Sequence, residues 1–182
     1  MLDPLRDLDR ILRGETTRPS SLRGGALPVQ VARLLPLLVV LGGAYGAFMG
    51  LFALINRAEP EPWQLVATTL KVPSLFLLTL LVTFPSLYVF NALVGSRLTP
   101  TSLMRMLIAA LGVTIAVLAS LGPIVGFFSL TTESYHFVLL FNVLVFAVSG
   151  GLGLVFLART LSRLADAAAA ALRTPAADPP TI

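Results

Sequence analysis

The 182-residue sequence contains no cysteine, one histidine, one lysine and one tryptophan, and only 12% of its residues are charged. The missing cysteines exclude disulfides, thiolate metal sites, cysteine nucleophiles and lipidation through sulfur. A single histidine with no thiol beside it removes the usual zinc ligand sets. No phosphate-binding P-loop, dinucleotide fingerprint, zincin helix or nucleophile elbow is present. The run GGLG at 150–153 follows Ser149 inside an apolar stretch, where a packing notch is expected rather than a phosphate cradle. Catalytic, cofactor-binding and metal-binding residues are therefore expected to be absent. Charge is also missing from the apolar interior of the expected spans, and with it the usual marker of proton relay or ion-coupled transport.

What is present is apolar: 56% of the chain is hydrophobic and its mean hydropathy is +0.88. These values lie far from the soluble norm, so the expected solvent is the lipid bilayer, which about 20 apolar residues cross as a helix. Four such runs stand at about 34–55, 72–95, 106–129 and 135–158. Nothing left over is long enough to build a separate core. The expected fold is all-α, a polytopic four-helix transmembrane bundle with an N-terminal amphipathic helix and a C-terminal helical extension. Residues 1–27 form an arm and linker, 28–158 the membrane domain, and 159–182 a helix extension with a proline-rich tail. Mostly polar residues precede the first run, so that run is expected to stay in place as a signal anchor.

Residues 2–13 carry Leu2, Leu5, Leu8, Ile11 and Leu12 on one helical stripe, with Pro4 near the start and Gly14 at the end. Leu5, Leu8, Ile11 and Leu12, with Trp63 further on, are candidates for interfacial contact. Docking of the same stripe onto the protein's own bundle or onto a partner is an equal alternative. In the first span, Gly42, Gly46 and Gly50 recur every four residues and leave a flat face for a close neighbour. The stretch from Val72 to Gly95 is read as the centre of the bundle. Its Thr79, Thr83 and Ser86 share one stripe expected to face other helices, and Pro73 and Pro85 interrupt its hydrogen-bond ladder. Pro73 is expected to turn the chain into the membrane after an interfacial stretch from Trp63 to Leu70. Pro123, between Gly122 and Gly126, is expected to loosen the far half of the third span. The second and fourth spans run the same way. Thr79 and Asn142 lie at one depth, Ser86 and Ser149 at the next, so these faces are predicted to meet, with Asn142 bonded to the second span.

Eleven arginines flank the ends assigned to the side of the N-terminus, against Arg57 and Lys71 on the other. The excess of positive charge predicts that both termini are cytoplasmic. It also explains the net charge of +4 as membrane topology, with no nucleic acid partner. An outer cluster of Lys71, Glu133, Ser134, Tyr135 and His136 is the one place where acid/base chemistry has candidates, though boundary residues of this kind are ordinarily just solvated.

The segment KVPSLFLLTLLVTFPSLYVF, the following NALVG and the proline-broken third span resemble bacterial Yip1-like membrane proteins over about residues 30–158. That family usually has five spans, one more than counted here. The resemblance implies a compact bundle behind a cytoplasmic arm and a role in membrane organisation through protein contacts; it implies no catalytic residues. The expected function is a non-enzymatic membrane scaffold or accessory subunit in the bacterial inner membrane, with the lipid bilayer and other membrane subunits, or itself, as partners. The alternative is a channel or transporter subunit whose polar path is lined by the second and fourth spans.

Overall fold

The computed structural model describes residues 3–15, 31–55, 62–93, 99–132 and 134–173, and in these the chain is helical with short connections. Five helices follow in order: α1 (Asp3–Leu12), α2 (Val31–Ile55), α3 (Pro62–Leu93), α4 (Pro100–Thr131) and α5 (Tyr135–Arg173). The last four are each long and apolar enough to cross a membrane. The protein is thus an all-α, multi-pass membrane bundle. Leu2, residues 16–30, residues 56–61 with Arg57, residues 94–98 with Arg97, Glu133 and residues 174–182 lie outside the described residues.

The centre of the bundle is α4, not α3. In the apolar window of α4, 61% of residues are buried, against 11% for α3. The reason lies in which faces admit a close neighbour. On α2, a Cβ at Gly46 would collide with the Thr68 carbonyl oxygen and lie 2.9 Å from the Thr69 Cα, and one at Gly42 would lie 3.3 Å from the Pro73 Cβ. A Cβ at Gly50 would meet Leu65 and the Thr68 hydroxyl. The glycine face of α2 therefore clamps the N-terminal half of α3 in an antiparallel pair, backbone against backbone. Leu81, Val82, Val89 and Phe90, toward the other end of α3, are all exposed.

Another set of notches joins α4 to the rest. Gly122 and Gly126 receive the ring of Phe48, whose carbons lie 2.9 and 2.8 Å from where Cβ atoms would stand. The glycines that flank Pro123 are the seat of an α2 side chain, and α4 continues as one helix to Thr131. Gly153 of α5 fits against Thr114 and the Ala110 carbonyl of α4. Pro36, Pro73, Pro85 and Pro123 all stand inside continuous helices. Helix α3 runs without interruption through Pro73, whose ring is buried against Gly42, and the stretch from Trp63 to Leu70 is helix packed along α2.

Helix α1 and the C-terminal part of α5 meet at the same end of the bundle. Leu8 and Ile11 of α1 are buried in a cluster with Leu34 and Leu38 of α2, Leu103 and Leu107 of α4 and Leu164 of α5. Helix α1 is docked on its own bundle, with Leu5 and Leu12 on its edges about half exposed. It ends as its glycine dictates: Gly14 has φ 70° and its N–H donates to the Ile11 carbonyl at 3.0 Å. Arg13 pairs with Asp9 one turn back at 2.9 Å.

Candidate functional site

A buried phenol in an apolar span needs an acceptor, and Tyr45 of α2 has one across the bundle. Its hydroxyl donates to the Asn142 Oδ1 of α5 at 2.8 Å, while the Asn142 amide donates to the Val138 carbonyl of its own helix at 2.9 Å. Tyr45 and Asn142 are 0% and 5% exposed. Phe146 packs edge-on against Tyr45 with ring centroids 5.5 Å apart and stacks on Phe76 of α3 at 6.0 Å. Three spans therefore converge on one polar bond sheathed in aromatic rings. Asn142 has the buried, bonded role its position predicts, but its partner is Tyr45 and not a hydroxyl of α3. The signal for Tyr45 was present in the sequence, a lone O–H between two of the α2 glycines.

The predicted meeting of the α3 and α5 polar faces does not occur. Thr79, Thr83 and Ser86 are exposed, so within this chain they form an outward flank rather than a packing face. Their chemistry differs from that of other span hydroxyls. Thr69, Ser74, Thr114, Ser120 and Thr160 each donate to the carbonyl four residues back at 2.7–3.2 Å. Among the described residues, the hydroxyls of Thr79, Thr83 and Ser86 have no such partner. Ser149 faces inward and is fully buried, also without a hydrogen bond among the described residues.

Tyr135 and His136 are exposed neighbours at the start of α5, Lys71 is exposed one turn before Leu75 in α3, and Glu133 lies outside the described residues. Among the described residues no group of three or more histidine, aspartate or glutamate side chains is placed to hold a metal. Trp63 is 76% exposed near the start of α3.

A cavity of ≈ 280 Å³ opens at the arginine-rich end, lined by Val31 of α2, Phe84 of α3 and Pro100, Thr101, Met104 and Arg105 of α4. It lies between the C-terminal part of α3 and the starts of α2 and α4. Thr99 caps α4 beside it, accepting the Ser102 N–H at 3.3 Å. Sequence reading did not find this cleft, because its walls come from three distant segments.

No family model, curated protein or solved structure matches the chain.

Proposed function

We propose that the protein is a non-enzymatic integral membrane scaffold or accessory subunit that works through contacts between helices. One observation carries this reading: α3 is a span with only 11% of its apolar window buried, and its exposed flank presents Thr79, Thr83 and Ser86. In hydrocarbon an unpaired polar group costs free energy that a neighbouring helix can remove. A flank of this kind is suited to another protein subunit more than to acyl chains. The Yip1-like resemblance of the same segment has the same implication. The arginine excess around both chain ends supports a bacterial inner-membrane location with the termini in the cytoplasm.

The test is gentle extraction of the tagged protein with mass determination and identification of what accompanies it. Stoichiometric heterologous subunits are expected, and they should be lost in the triple variant Thr79→Val, Thr83→Val, Ser86→Ala. The reading fails if the wild-type chain is extracted alone as a monomer. A channel or transporter subunit is the second reading, favoured only by the hydroxyls of α3, which would line a path between copies; a pure homo-oligomer with solute flux in liposomes would establish it.

A further inference from the structure

We propose that the cleft at the arginine-rich end of the bundle, between the starts of α2 and α4 and the last third of α3, binds the headgroup of an anionic phospholipid. The cleft is amphiphilic in the way a lipid is. Val31, Phe84, Pro100 and Met104 supply apolar wall, while Thr101 supplies a hydroxyl and Arg105 a guanidinium. Among the described lining residues Arg105 is the charged one, and none is a carboxylate. Arg105 is half-buried, its stem held in the wall, and a guanidinium has five N–H donors, enough to serve a phosphate alongside its contact within the protein.

Position favours a lipid over a free anion. Arg33 and Arg105 mark the end of the apolar spans, the depth at which lipid phosphates lie. The exposed side chains of α3 beside Phe84 leave the cleft open sideways to the bilayer, so acyl chains can remain in the membrane while the headgroup enters. Basic pockets between spans at the cytoplasmic surface have this ligand chemistry in general. The positive end of α4, whose first turn contributes Pro100 and Thr101, adds to the same field. The site needs no protein partner, so its test is separate from that of the scaffold reading.

The experiment is native mass spectrometry of the full chain in mild detergent with phosphatidylglycerol, phosphatidylcholine or inorganic phosphate added. Phosphatidylglycerol should bind with about fivefold preference over phosphatidylcholine, the scale of one basic residue at an anionic surface. Arg105→Gln should abolish the preference, and Arg159→Gln, which removes an exposed arginine at the same end, should keep it. Equal loss in both variants would show diffuse surface charge and overturn the site, as would full retention in Arg105→Gln. Displacement of the lipid by inorganic phosphate at equal concentration would show a free-anion site and also overturn it. Should Arg105→Gln fail to fold, Met104→Trp decides the matter: it fills the cleft with every arginine kept, and unchanged lipid binding refutes the proposal.

Discussion

Replacing Gly46 by alanine adds one methyl group at the closest point between α2 and α3. That methyl would stand against the Thr68 carbonyl oxygen and 2.9 Å from the Thr69 Cα, both backbone atoms that cannot swing aside. The helices must separate, and a gap of about 0.5–1 Å already forfeits a quarter to a half of each dispersion contact along the seam. The cost should therefore fall in the overpacking range, about 1–3 kcal/mol. Gly43→Ala is the control, because its Cβ would meet Thr69 at an ordinary 3.5 Å. It adds the same methyl to the same helix and gains about 1 kcal/mol of helix propensity at most. Gly42→Ala, at 3.3 Å from Pro73, should lie between the two. Thermal unfolding of the detergent-solubilised variants, followed by circular dichroism, should rank Gly46→Ala lowest, then Gly42→Ala, then Gly43→Ala. Equal melting temperatures for the three would refute the claim that backbone contact at Gly46 holds α3 in place.

Three further variants probe the rest of the bundle. Tyr45→Phe keeps the edge-on contact with Phe146 and removes only the bond to Asn142; a double-mutant cycle with Asn142→Leu should give a coupling of about 0.6–1.7 kcal/mol, and a coupling of zero would mean the bond does not form. Ile11→Ala, at a site 1% exposed, should destabilise by about 2–5 kcal/mol, whereas Leu12→Ala, at a site 48% exposed, should leave unfolding nearly unchanged. Ser149→Ala removes a buried hydroxyl that has no partner among the described residues, so it should be neutral or stabilising; a loss of about 1 kcal/mol or more would reveal a hydrogen bond there.

The membrane class and the four spans were legible because length and hydropathy alone define them. The amphipathic repeat of α1 was equally plain, but periodicity names a buried face without naming what buries it, and the bundle itself proved to be the cover for Leu8 and Ile11. The order of the helices in space was not legible. The four apolar runs resemble one another in composition, and the centrality of α4 is set by which glycines meet which side chains, Phe48 on Gly122 and Gly126 above all. The rule that polar residues of a span face the bundle served for Asn142 and failed for Thr79, Thr83 and Ser86. Those hydroxyls sit on the exposed face of α3, whose opposite face packs on the core through Leu80, Phe84 and Leu87. The cleft around Arg105 was hidden for a similar reason, since Val31, Phe84 and Met104 have no relation in sequence.

The docking of α1 on α4 sets a timetable for synthesis. Leu8 leaves the ribosome long before Gly112, the residue it packs against, and the roughly 100 residues between them take about 5–20 s to translate. Once Pro73 has been made α2 and α3 can already pair, because their glycine seam is complete, while α1 still has only part of its seat. A helix with Leu8 and Ile11 uncovered can rest on the membrane interface through that apolar stripe. The interfacial life that the sequence of α1 allows thus belongs to the nascent chain, and the arrival of the third span ends it.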